Sequence, residues 1–190
     1  MIPLLAGCSA ILLLLLGGLI GRPALRKTKP RLAIPGYRVV YSDSREARRK
    51  HGVTHSGLLR SCQYDLTGKP DYIYQSALGR ALIVVELKSG AIGKNPAPYP
   101  GDLMQLAAYF LLVEEHYGVR PRQGRLIYKD YMFMVRNTGR LRRDVKRTLK
   151  AMRQMLVTGH SPVSPSYVAC RYCMCRGTVC RWCGEYSDRT

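Results

Sequence analysis

Glu86 and Lys88 stand two residues apart at the end of the apolar run Leu82-Ile83-Val84-Val85, and Asp71 opens the preceding hydrophobic stretch. Asp71 and Glu86 are the only acids between Asp65 and Asp102, in a chain with 12 Asp+Glu against 31 Lys+Arg. Side chains two apart on a strand leave from the same face, so Glu86 and Lys88 point together while Leu87 points into the core. If the two stretches pair as a hairpin, Asp71 and Glu86 converge at that edge. Two carboxylates that water can reach are the usual holder for Mg²⁺ or Mn²⁺. Such an ion polarises a phosphodiester and supplies hydroxide near neutral pH. A lysine beside it orients the attacking water and offsets charge growing on the phosphorus oxygens. Taken alone, a Glu-x-Lys at a strand end is more often an exposed ion pair worth little. Gln105 and Tyr109 are four apart and share one helical face, although Asp102-x-x-Gln105 also reads as a capping box.

A second group of reactive residues crowds the C-terminus, where five of the seven cysteines form Cys170-x-x-Cys173-x-Cys175 and Cys180-x-x-Cys183. In a cytoplasmic domain, such crowding argues for metal before disulfides. The paired spacing fits a four-thiolate zinc site from Cys170, Cys173, Cys180 and Cys183.

Several elements must position these residues. Tyr37 to Tyr41 reads as a strand, and Ser42 to Ser56 as loop or short helix. Leu58 to Leu66 and Lys69 to Gln75 read as strands joined at Thr67-Gly68, and Ala81 to Lys88 as a third with a buried centre. The Gly- and Pro-rich stretch Ser89 to Pro100 is a loop, after which Asp102 caps a helix that runs to about Tyr117 and stops at Gly118. Leu126 to Tyr128 and Tyr131 to Val135 flank Lys129-Asp130 as a hairpin. Leu141, Val145, Leu149, Met152 and Leu156 mark the inner face of a second long helix. Strands, helix, hairpin and helix predict an α/β or α+β domain built on a mixed sheet.

The whole chain has 190 residues and a formal net charge of +19, which points to nucleic acid or an anionic membrane as partner. Its 46% hydrophobic and 23% charged composition excludes a disordered tail or a collagen-like fibre. Arg140, Arg142, Arg143, Lys146, Arg147, Lys150 and Arg153 are set against Asp144 alone, a plausible track for a phosphate backbone. Residues 2–21 are apolar or small, without a charge, and long enough to span a membrane at about 30 Å. Arg22, Arg26, Lys27, Lys29 and Arg31 follow, so the positive-inside rule places the rest of the chain in the cytoplasm. The expected organisation is a single transmembrane anchor over 2–21, a basic juxtamembrane linker over 22–35, a domain over 36–165 and a Cys-rich tail over 166–190.

Gly68-Lys69-Pro70-Asp71-Tyr72-Ile73-Tyr74, then Ile83-Val84-Val85-Glu86-Leu87-Lys88-Ser89-Gly90, then Gln105-Leu106-Ala107-Ala108-Tyr109 together resemble the PD-(D/E)xK nuclease superfamily. The resemblance is to its RecB-like branch, the small single-domain exonucleases associated with CRISPR systems, and it runs from Leu58 to Cys180. It implies a restriction-endonuclease-like mixed sheet flanked by helices, with metal on Asp71 and Glu86 and a catalytic Lys88. It also implies that Gln105 and Tyr109 contact DNA or the active site, and that an upstream histidine, for which His55 is offered beside His51, completes the metal site. In that family three C-terminal cysteines and one upstream cysteine hold a 4Fe–4S cluster. Cys170, Cys173 and Cys180 occupy similar positions, and Cys183 or Cys175 would serve as fourth ligand, with structural Zn²⁺ the alternative. The expected function is a Mg²⁺- or Mn²⁺-dependent DNA nuclease, most readily an exonuclease on single strands or free ends, at the cytoplasmic face of a membrane. The alternative is a membrane-tethered nucleic-acid-binding module on a nuclease scaffold, without turnover.

Overall fold

Leu82-Ile83-Val84-Val85 is apolar at every position because both faces of its strand are covered. In the computed structural model, which describes residues 25–44, 49–50, 53, 57–159 and 170, this run is the core of strand β6. The strands are β1 (Leu25–Thr28), β2 (Tyr37–Ser42), β3 (Leu59–Ser61), β4 (Leu66–Gly68), β5 (Tyr72–Ser76), β6 (Leu82–Leu87), β7 (Gln123–Ile127) and β8 (Met132–Arg136). Helix α1 spans Pro100–Tyr117 and α2 spans Gly139–Thr158. Six strands form one sheet in the order β1-β8-β7-β6-β5-β2, and β3 pairs with β4 apart from it. Among the described strands only β6 and β7 run parallel, which requires a crossover, and α1 supplies it. The chain divides into two compact units at Leu149/Lys150; of the second, residues 150–159 and 170 are described.

Alternation along β6 sorts the core into two clusters. Leu82 and Val84 join Leu106, Phe110 and Leu111 of α1 and Leu141 and Val145 of α2. Ile83 and Val85 meet Tyr72, Tyr74, Ile127, Met132 and Ile34 on the other face. Both described helices therefore cover one face, and chain near Ile34 packs on the other. A Cβ on Gly124 would stand 2.8 Å from the Val84 carbonyl oxygen and 2.8 Å from the Phe110 ring, so this glycine is what lets α1 sit directly on the sheet. Pro100 opens α1, where its missing N–H costs nothing, and Gly118 closes it with φ +65°.

Five expectations need correction. Leu25–Thr28, expected within the linker, pairs with β8 as an edge strand, and Lys27 donates to the Gly93 and Asn95 carbonyls at 2.6 and 2.7 Å. Leu58 to Leu66 is not one strand: the chain turns through Cys62–Asp65, with Asp65 at φ 44°, and Thr67-Gly68 lies inside β4. That turn is held from a distance, since Glu115 of α1 accepts the Ser61 hydroxyl and the Cys62 and Gln63 N–H groups. Leu87 is 40% exposed and does not point into the core. Asp102 does not cap α1; Tyr99 is the N-cap and makes no side-chain hydrogen bond there. On α2 the buried face ends early, with Leu141 and Val145 buried, Leu149 half-buried, and Met152 and Leu156 exposed. Among the described residues no helix is long and apolar enough to cross a membrane, and the expected anchor at 2–21 lies outside them.

Candidate active site

The antiparallel register of β5 and β6 sets Tyr72 opposite Val85, which brings Asp71 beside Glu86 as the hairpin reading expects. Asp71 precedes β5, and its Oδ2 accepts the Leu87 N–H at 2.6 Å. Its own carbonyl accepts the Asp43 N–H at 3.2 Å, so Asp71 is tied to both neighbouring segments. On β6, Glu86 is 6% exposed and belongs to the face that α1 covers. Its Oε1 accepts Lys88 Nζ at 3.2 Å and Gln105 Nε2 at 2.8 Å. Its Oε2 is buried and has no hydrogen-bond partner among the described residues. Burial, reinforced by the Asp71 carboxylate and opposed by the Lys88 ammonium, pushes the Glu86 carboxyl up to about 7.

Lys88 lies one residue past β6, its N–H still bonded to the Ile127 carbonyl at 2.7 Å. Its ammonium reaches Glu86 Oε1, Asp102 Oδ1 at 3.2 Å and Gln105 Oε1. Burial works against that charge, but hydrogen bonds and attraction from Asp102 and Glu86 outweigh it and hold Lys88 above the ordinary lysine value. Lys88 is thus a cation at neutral pH, suited to stabilising negative charge rather than to accepting a proton.

Three residues on one face of α1 complete the arrangement. Asp102, Gln105 and Tyr109 recur at helical spacing, and all three meet the end of β6. Gln105 donates to Glu86 and to the Tyr109 hydroxyl at 3.0 Å, while its carbonyl oxygen takes Lys88. The Tyr109 hydroxyl in turn donates to the Lys69 carbonyl at 3.1 Å. Burial raises the Tyr109 phenol above its ordinary value, so it stays neutral and acts as a hydrogen-bond bridge. Gly68 makes room for the ring: a Cβ there would lie 2.7 Å from Tyr109 Cε1.

The sequence reading names Asp102 only as a cap and misses its place beside Lys88. It also misses Tyr128, whose hydroxyl donates to Asp102 Oδ2 at 2.6 Å and accepts the Tyr99 N–H at 3.4 Å. A sequence signal existed for Asp102, three residues before Gln105 and hence on its face of the helix. None existed for Tyr128, which arrives through the parallel pairing of β7 with β6.

His51, His55, Cys173, Cys180 and Cys183 lie outside the described residues; Cys170 is described and half-buried. Among the described residues no group of three or more His, Cys, Asp or Glu side chains converges on one point. The donors that are present do fit a hard divalent cation. Oxygen ligands from Asp71 and Glu86 are of the right type, and the orphaned Glu86 Oε2 is a buried acceptor that a cation would satisfy.

Residues 21–181 match the family model of the PD-(D/E)XK nuclease superfamily. The central mixed sheet with its two helices fits the restriction-endonuclease-like fold. No curated protein matches the chain at a significant level.

Proposed function

Because the chain belongs to the PD-(D/E)XK nuclease superfamily, we propose that it is a divalent-metal-dependent deoxyribonuclease of RecB-like type, acting as an exonuclease on single strands or free ends. The observation that carries this reading is the buried Oε2 of Glu86 beside Asp71, unpartnered among the described residues. A carboxyl held near pH 7 by burial and a like charge gains most from a cation at that point.

Asp71 and Glu86 would hold Mg²⁺ or Mn²⁺, the ions typical of the superfamily. The bound ion would polarise the phosphodiester and lower the pKa of the attacking water. Lys88 would balance negative charge growing on the phosphorus oxygens. Gln105 would keep Glu86 and Lys88 in register, since its amide grips one with its nitrogen and the other with its oxygen. Tyr109 would fix that amide by anchoring it to the Lys69 carbonyl, two residues before Asp71. The Gln105–Tyr109 pair is also what supports the RecB-like placement.

Residues 2–21 would tether the enzyme to the cytoplasmic face of a membrane, and Cys170, Cys173, Cys180 and Cys183 would hold a 4Fe–4S cluster or a structural zinc. Anaerobic purification separates the two metals: a brown protein indicates iron–sulfur, a colourless one with zinc the four-thiolate site. The nuclease reading is tested on the full chain with Mn²⁺ and end-labelled DNA. Wild type should cut, and Glu86→Ala and Asp71→Ala should each abolish cutting. Activity that survives both substitutions would sink the assignment, and binding without turnover across several metals and substrates would favour a non-catalytic module.

A further inference from the structure

At the end of the sheet away from Glu86 lies an open cleft of about 1170 Å³. Arg80 enters it from the turn into β6, Arg120 and Arg122 from the connection between α1 and β7, Arg136 from the end of β8, and Arg26 from β1. The topology gathers them. Parallel β6 and β7 both begin at this end, and β8, antiparallel to β7, finishes there. Arg26 pairs with Met134 and Gln123 with Arg136, both next in line to residues of the α1-facing cluster. The cleft therefore opens on the face of the sheet that bears Ile83, not on the face that α1 covers. Glu86 is four residues from Leu82, roughly 13 Å farther along the strand, and belongs to the opposite face.

No carboxylate is among the described lining residues. Arg120 donates to the Asn137 carbonyl at 3.3 Å, while the side chains of Arg26, Arg80 and Arg122 make no hydrogen bond or ion pair among the described residues. The walls are nevertheless fixed. Buried Asn137 donates its amide to the Pro121 carbonyl at 2.8 Å and its N–H to the Arg122 carbonyl at 2.9 Å, locking the connection before β7 to the end of β8. Five guanidinium groups around one concavity repel each other and focus positive potential into it. Their planar forks match phosphate oxygens, and an anion with several phosphates would answer Arg26, Arg80 and Arg122 together.

We propose that this cleft is a second nucleic-acid site, which grips the phosphate backbone of a strand segment remote from the one at Glu86. It rests on the nuclease reading for the identity of the polyanion. A strand can enter a concavity between sheet and connections, whereas a bilayer presents a surface too broad to follow it, so nucleic acid is favoured over lipid headgroups.

The test measures binding of a labelled long single strand to the full chain in detergent micelles, with EDTA present so that turnover plays no part. Arg80→Ala with Arg122→Ala should flatten the slope of log affinity against log salt by roughly 1.4, two contacts at about 0.7 each for single strands. Arg80→Lys with Arg122→Lys should keep most of that slope. A short strand that fills only the Glu86 end should bind and, with Mn²⁺, be cut as by wild type. The inference fails if the alanine pair leaves the long-strand slope unchanged. It fails equally if Arg60→Ala with Lys94→Ala, exposed cations outside the cleft, flattens the slope as much. Loss of binding to phosphatidylserine vesicles with strand binding intact would reassign the cleft to headgroups. A chain that never cuts DNA yet shows the slope change would lose the nuclease reading and keep the cleft.

Discussion

Glu86 is a carboxyl that burial has pushed up to about 7 from 4.5, with Lys88 close enough to limit the shift but not to cancel it. The unfolded chain releases this proton near 4.5 while the folded protein keeps it to about 7, so the folded state binds more protons across that window. Stability therefore falls as pH rises from 4.5 to 7, by about 3 kcal/mol for this group, and stays lowered above it. In EDTA, Glu86→Gln should unfold at higher denaturant than wild type at about pH 8, match it below about pH 4, and lose its advantage when Mn²⁺ stabilises wild type. A difference that does not change with pH would mean that Glu86 is not the titrating group. Lys88 presents a different case, because Asp102, Gln105 and Glu86 already surround its ammonium. Lys88→Ala should lower kcat by roughly 10²–10³ and leave Mn²⁺ binding intact. Loss of the metal itself, read by titration calorimetry, would instead make Lys88 an organiser of the carboxylates.

The element that matters most is α1, which crosses between the two parallel strands and presents Asp102, Gln105 and Tyr109 to the end of β6. Its distance from the sheet is set by glycines rather than by the site residues. A methyl group at Gly124 would meet a backbone oxygen and the Phe110 ring, neither of which can move cheaply. Gly124→Ala should cost about 1–3 kcal/mol, the range for overpacking a tight core, and lower Tm accordingly. Gly68→Ala meets side chains alone, Leu112 at 3.1 Å and, closest, the Tyr109 ring, which can swing aside at the expense of its hydrogen bonds to Lys69 and Gln105. Its signature should be a fall in kcat larger than the loss of stability predicts. Equal effects on both would show that the Tyr109 bridge does not support the chemistry.

For the molecule as a whole, Leu25–Thr28, ahead of Gly36, belongs to the sheet. β1 covers the edge of β8, Lys27 ties that edge to the loop before α1, and Arg125 donates to the Arg31 carbonyl at 2.9 Å. A fragment that starts at Gly36 should be less stable than one that starts at Arg22 by at least about 3 kcal/mol, counting about 1 kcal/mol for each of these three side-chain hydrogen bonds before the β1–β8 ladder is added. It should also aggregate more readily through the bared strand, as light scattering would report. Equal stability of the two fragments would show that β1 adds nothing to the folded sheet.

Sequence alone determined those parts of the protein whose causes are local. The apolar run of β6, the Gly118 stop of α1 and the Tyr128–Tyr131 turn all follow from short-range rules, and the β5–β6 hairpin carries Asp71 and Glu86 together because its register is set over few residues. Gln105 and Tyr109 were legible for the same reason, since four residues on a helix make one face. Only the tertiary structure decided the rest, each feature resting on contacts between residues far apart in the chain. β1 is recruited by β8, the Cys62–Asp65 turn is held by Glu115, and Tyr128 meets Asp102 through a parallel strand pair. The arginine cleft has the same origin: its five cations come from four separate segments, and only the direction in which β6, β7 and β8 run brings them to one end. Periodicity tells which face a residue takes within its own element, but not which element will lie against that face.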